Sequence, residues 1–250
     1  MRQITHLALS LLCLSFLASC STSPQIGAYQ RAIREAGFTA YNQPVGDVHN
    51  VNDWNKFGPG VVLRTKNQGY YYSAASIIGA STVQSAMDPK NASPIGLFSG
   101  RKVSGYDFDG HGGWTLDAVN QIAGSLTSKR DTTVEMQFGK SYLANPLSEG
   151  DMHQALAKAG STIDPVARKA LRNGQFALVQ NAIWTDSIRY TFKQTAENGA
   201  SVTYKLSTQE IAALTAKGYK TIDGGVQVDT PTFIAYTPLP NPAQDVTPAH

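Results

Sequence analysis

The chain reads as a single α+β domain built on a largely antiparallel sheet, and three observations predict this. Residues 176–193 form a long extended stretch in which Ala177, Val179 and Ile183, then Ile188, Tyr190 and Phe192, alternate with polar residues. Asn198-Gly199 turns that stretch back toward Val202, Tyr204 and Leu206, a strong hairpin signal. Just before it come two capped helical segments: Ser148 followed three residues on by Asp151, and Asp164-Pro165 opening residues 164–174. Helix and strand signals thus share one region, with no internal repeat.

The remaining elements follow in order. Residues 26–37 place Ile26, Tyr29, Ile33 and Ala36 at helical spacing, with Gly37 as the stop. A loop rich in Asn, Asp and Gly leads to Gly58-Pro59-Gly60 and a strand over 61–65. Residues 70–79 are apolar and read as a strand, and 88–94 as a loop. Strand 103–108, helix 115–126 and an alternating strand over 132–142 come next. After the hairpin, Ser207 and Glu210 make a capping box for a helix ended by Gly218, and 232–237 is the last strand. The hairpin at 176–206 reads as sheet core rather than a membrane span, because Trp184-Thr185-Asp186-Ser187 interrupts its apolar face. In that reading Ile188, Tyr190, Val202 and Tyr204 share one environment.

Composition narrows the class. Of 250 residues, 42% are hydrophobic and 16% charged, which suits a foldable, lightly charged chain. The net charge of +3 is dispersed, so nothing marks a nucleic-acid partner. Cys13 and Cys20 are the whole cysteine complement.

The N-terminus carries the most specific signal. Arg2 precedes an apolar run over 7–18, then Leu17-Ala18-Ser19-Cys20, in the layout of a secretory signal peptide. The run is shorter than the roughly 20 residues a bilayer span needs. These residues resemble the lipobox of bacterial lipoproteins. The resemblance implies a signal peptide over 1–19, cleavage after Ser19 and acylation of Cys20, palmitate being the label that reports it. A tether over 20–25, the domain over 26–238 and a Pro-rich tail over 239–250 complete the division. The multiple acyl chains expected in that class anchor a domain stably. Ser21, in the sorting position, implies the outer membrane rather than the inner.

No cofactor, metal or catalytic motif of high specificity is present: no Gly-x-Ser-x-Gly, His-Glu-x-x-His, P-loop or Cys-x-x-Cys. Three weaker patterns stand out. Ser99 and Lys102 form a Ser-x-x-Lys, the spacing of a serine nucleophile and its lysine in penicillin-binding enzymes, but the flanking glycines read as a turn. Asp107, Asp109 and His111 could meet a cation, although the pattern departs from a calcium loop after Gly110. Trp54 with Tyr70, Tyr71 and Tyr72 could stack on sugars, with one face of that strand in the core. His49, His111 and His153 are too dispersed to nominate a triad.

The order of elements from 103 to 239 resembles the bacterial gasdermins, through Val134-Glu135-Met136-Gln137-Phe138, the helices at 148–174, the stretch 177–183, Ile188-Arg189-Tyr190 and Phe233-Ile234-Ala235-Tyr236. That resemblance implies a twisted sheet with flanking helices. It also implies pore formation by hairpin insertion after a C-terminal segment is cleaved. The expected function is a non-enzymatic, outer-membrane-anchored lipoprotein of the envelope, interacting with envelope proteins, peptidoglycan or membrane. The alternatives are a peptidoglycan-binding or peptidoglycan-hydrolysing lipoprotein, and a gasdermin-like pore former.

Overall fold

A computed structural model describes residues 24–104, 132–160, 162–196, 199–216 and 219–242. In chain order it runs α1 (Pro24–Glu35), β1 (Thr39–Val45), α2 (Val51–Phe57), β2 (Val62–Arg64), β3 (Tyr70–Tyr72), α3 (Ala74–Ile78) and α4 (Ala80–Ala86). Strands β4 (Ser93–Ile95), β5 (Lys102–Ser104), β6 (Thr132–Phe138) and β7 (Ser141–Ala144) follow, then helices α5 (Glu149–Gly160) and α6 (Pro165–Arg172). The rest is β8 (Phe176–Thr185), β9 (Ile188–Thr195), β10 (Ser201–Thr203), α7 (Thr208–Ala216), β11 (Lys220–Ile222), β12 (Gly225–Val228) and β13 (Thr232–Pro238). The fold is α+β, and every strand pairing among the described residues is antiparallel.

The strands form two sheets. In the first, β8 pairs with β13 along one edge, while β2 and β7 share the other; β1, β3 and β4 extend it outward. In the second, β9 pairs with β6 along one edge, while β12 and β10 share the other; β5 and β11 lie outside them. One two-stranded ribbon runs through both sheets, because β6 leads into β7 and β8 into β9 after two residues each. Residues 132–142 and 176–193, each expected as one strand, therefore break at Gly139-Lys140 and Asp186-Ser187.

The break is a fastened corner. The N–H of Gly139 donates to the carbonyl of Ser187 (2.8 Å), and that of Asp186 to the carbonyl of Lys140 (2.9 Å). Asp186 Oδ1 accepts the Lys140 amide at 2.9 Å and the Ser187 hydroxyl at 3.0 Å. Thr185, fully buried, donates its hydroxyl to the same turn. A Cβ at position 139 would fall 2.2 Å from both Asp186 Oδ1 and Ser187 Oγ, so any other residue would have to displace these two side chains and the hydrogen bonds they make.

The first sheet is the middle layer. One face packs on α2 to α6 through Trp54, Ile77, Met152, Leu156 and Leu171 against Leu178, Ala182 and Phe233. The other face, through Ala40, Ile183 and Ile234, shares a cluster with α1 (Tyr29, Ile33) and the second sheet (Val134, Met136, Phe138, Tyr190, Phe192, Val226). Burial on both faces explains why β13 is apolar without alternation. The second sheet alternates cleanly, with Glu135, Gln137, Arg189 and Lys193 on its polar face. There Glu135 sits between Lys102 (3.2 Å) and Lys193 (3.1 Å). Burial pushes its carboxyl up, and the two ammonium groups outweigh that and hold it below the usual range.

Several local expectations change. Only Tyr70–Tyr72 of the apolar run 70–79 is a strand; Ser73 is the cap residue of α3, and its hydroxyl bonds Ser76. The loop read over 88–94 holds a short 3-10 turn and the start of β4. Strand β1, helices α2 and α4 and the β11–β12 hairpin have no counterpart in the sequence reading. Val202 does not share the core with Ile188 and Tyr190: it is 47% exposed, paired across β10 with Gln194. Leu239, assigned to the tail, is buried and donates its amide to Leu178 (2.7 Å). Cys20, Ser19 and Ser21, the helix expected over 115–126 and Asp107, Asp109 and His111 lie outside the described residues.

Gly139→Ala should destabilise the fold by about 1–3 kcal/mol through overpacking at the corner. Gly150→Ala, in the first turn of α5 with open space at its Cβ, should be neutral or stabilising by up to about 1 kcal/mol. Urea unfolding of both variants checks this contrast.

Candidate functional site

The side chains nominated from sequence are engaged in building the fold. Ser99 lies in a turn; its hydroxyl donates to the Ile95 carbonyl (3.0 Å) and accepts the Ser141 amide (3.0 Å). Lys102 is paired with Glu135 on the sheet face, so the two ends of the Ser-x-x-Lys pattern are committed to different neighbours. Trp54 is fully buried against Phe233 (5.5 Å between rings). His49 packs edge-on to Trp184, and His153 lies 3.9 Å from Glu149 one helical turn away.

The tyrosines are fasteners. Tyr71 and Tyr72 both donate to Asp164 Oδ2 at 3.0 Å, and Tyr72 also accepts the Asp164 amide. Asp164 Oδ1 caps α6 through the Ala167 amide (2.8 Å). The Ala167 amide does most to hold the Asp164 carboxyl below its usual range; burial opposes it, and the hydrogen bonds from the two phenols and the Val166 amide outweigh that opposition. In return the Tyr71 hydroxyl is pushed up, first by its hydrogen bond to Asp164. Arg64 lies over the Tyr71 ring, 5.3 Å from its centroid. Tyr70 is the most exposed of the three, at 52%, while Tyr71 and Tyr72 are half-buried.

The cleft with the most distinct chemistry lies elsewhere, between α1, β1 and the β2–β3 turn. It has a volume of about 410 Å³ and is lined by Gln30, Arg34, Asn42, Lys66, Gln68 and Tyr236, among others. Helix α1 buries Tyr29 and Ile33, which turns Gln30 and Arg34 to its other side. Tyr29 fixes the helix by donating to the Ile234 carbonyl of β13 (2.6 Å). On the opposite wall, Gln68 adopts a φ of 53°, a left-handed conformation that non-glycine residues seldom take. Its side chain then serves as a neighbour strand for β1: Oε1 accepts the Asn42 amide (2.7 Å) and Nε2 donates to the Ala40 carbonyl (2.8 Å). This covers an edge strand that also carries Pro44, an edge-compatible residue. Tyr236 forms the floor, its hydroxyl pushed up by burial and partly offset by Gln68.

The cleft is cationic. Arg34 reaches Gln30 Oε1 (3.2 Å), Lys66 has no ion-pair partner among the described residues, and no carboxylate lines the walls. Sequence reasoning passed over it because its walls come from three separate stretches. The readable hint was a pair of polar residues four apart on the outer face of α1. A second, shallower cleft of about 360 Å³ lies at the sheet corner beside Ser99, Lys140 and Arg189.

No protein-family profile matches the chain, and no curated protein matches it. Among solved structures it is similar to a bacterial gasdermin from Bradyrhizobium tropiciagri, at 12% identity and a TM-score of 0.46, over 84% of this chain and 85% of that one. This is a distant likeness of chain path, and no residue role is carried over from it.

The Asp164 cluster makes stability pH-dependent with a defined sign. A depressed carboxyl contributes stability that is fully present above the unfolded aspartate value, about 3.9. That contribution is lost as pH falls through the lower folded value. Asp164→Asn should therefore lower the urea midpoint at pH 7, with the gap to the wild type closing below about pH 4. Urea titrations at pH 7, 4 and 3 measure the gap; a gap constant with pH contradicts this assignment.

Proposed function

We propose that this chain is a non-enzymatic lipoprotein of the cell envelope, anchored to the outer membrane through Cys20, whose α+β domain works by binding. The observation that carries the reading is Leu17-Ala18-Ser19-Cys20 at the end of a short apolar run opened by Arg2. The fold supports it. Helix α1 begins four residues after Cys20 and is tied to β13 through Tyr29. Four extended residues span at most about 14 Å. An acylated Cys20 therefore holds the domain close to the bilayer, with α1 and its cationic cleft on a short leash. Ser21 directs the anchor to the outer membrane.

Cys20→Ala removes the acceptor of every acyl chain, and it should abolish incorporation of radiolabelled palmitate and leave an uncleaved or soluble precursor. Equal labelling of variant and wild type would sink the reading. Ser21→Asp should move the protein toward the inner-membrane fraction on a density gradient. Unchanged fractionation contradicts the sorting assignment alone.

A further inference from the structure

We infer that the cleft between α1, β1 and the β2–β3 turn binds a small anionic sugar, one bearing a carboxylate or a phosphate. The inference takes from the proposed function only that envelope sugars are within reach; the binding chemistry rests on the cleft itself.

Charge is the first argument. Arg34 and Lys66 face a cleft that no carboxylate lines, and Glu35, the acid next to Arg34, is turned to Arg101 at 3.6 Å. A guanidinium presents a planar fork that matches carboxylate and phosphate oxygens, while an ammonium adds a mobile point charge. The Gln30 side-chain oxygen accepts a hydrogen bond from Nη2 of the Arg34 fork.

Polarity and size specify more than charge. Thr39, Gln30 and Asn42 also line the cleft, and their neutral side chains are able to give and take hydrogen bonds with hydroxyls. The apolar part of the lining open to a ligand comes from Ala177 and Pro238, Ala40 and Tyr236 being buried beneath it, and it suits the C–H face of a pyranose. A volume of about 410 Å³ lies within the range of small-molecule sites and suits one or two sugar rings. The wall is rigid where it matters, since both ends of the Gln68 amide are held by β1. The ordering that binding still requires falls on the exposed Arg34 and Lys66 side chains.

Calorimetric titration of the detergent-solubilised full chain tests this with four probes. These are N-acetylmuramic acid (carboxylate), N-acetylglucosamine 1-phosphate (phosphate), neutral N-acetylglucosamine, and inorganic phosphate. At least one charged sugar should bind saturably, roughly tenfold or more tighter than the neutral sugar and than phosphate alone, as expected for a charge-assisted contact added to sugar contacts. The better of the two charged sugars identifies the anion. Arg34→Gln and Lys66→Gln, both at exposed positions, should each weaken that binding by about tenfold while leaving the urea midpoint unchanged. Four results would overturn the inference: no saturable binding of either charged sugar, equal binding of the neutral sugar, equal binding of phosphate alone, or full binding in the double variant. None of them bears on Cys20, whose palmitate labelling stands or falls separately.

Discussion

The structure depends on one corner, where Gly139 and Lys140 cross Asp186 and Ser187. There a single antiparallel ribbon leaves one sheet and enters another. Four hydrogen bonds between the two turns keep the strands paired through the bend. The corner needs a residue without a side chain, since the Asp186 carboxylate and Ser187 hydroxyl occupy the space a Cβ would fill. It needs a short acceptor opposite, to take the Lys140 amide that has lost its strand partner. With both in place, one hydrogen-bonded ladder links the halves, and the core under the second sheet is closed by the inner face of the first.

The layering follows. Because the ribbon bends, the second sheet packs over one face of the first, along with α1, while α2 to α6 cover the opposite face. The first sheet thereby becomes an interior layer and the second an outer one. That division explains a contrast in composition: β13 buries Phe233, Ile234, Ala235 and Tyr236 in succession, whereas β9 alternates Tyr190 and Phe192 inside with Arg189 and Lys193 outside. It also sets the cleft. Strand β1 lies at the margin of the interior sheet, where α1 ends its packing and a glutamine side chain does the work of a missing strand. Arg34 and Lys66 gather at that margin, the first from a helix whose Tyr29 and Ile33 are in the core and the second from the exposed turn between β2 and β3.

What could be read from the sequence was what is decided locally. The caps at Ser148, Asp164 and Ser207 form as their spacing requires, because an N-terminal cap involves residues three apart. The antiparallel α+β class was legible for the same reason, from alternation and turn residues. The partition into two sheets was not. Gly139 and Asp186 stand 47 positions apart, and neither announces in its own neighbourhood that the other will meet it. Val202 misled because alternation marks a strand without saying whether a facing layer exists. The Tyr71 and Tyr72 pair read as a platform, since sequence gave no sign that Asp164 would take both hydroxyls. The cleft drew on residues from α1, β1 and the turn at 65–69, and was beyond any local pattern.

The central claim is that the corner makes the two sheets one cooperative unit. Native-state hydrogen exchange measures this directly, by comparing the amides of Gly139 and Asp186 with those of Ile183 in the first sheet and Tyr190 in the second. If the account holds, all four exchange only through global unfolding, with one common free energy and one common dependence on urea. Early exchange at Gly139 and Asp186, with Ile183 and Tyr190 protected to different extents, would mean that the sheets open independently and would contradict it.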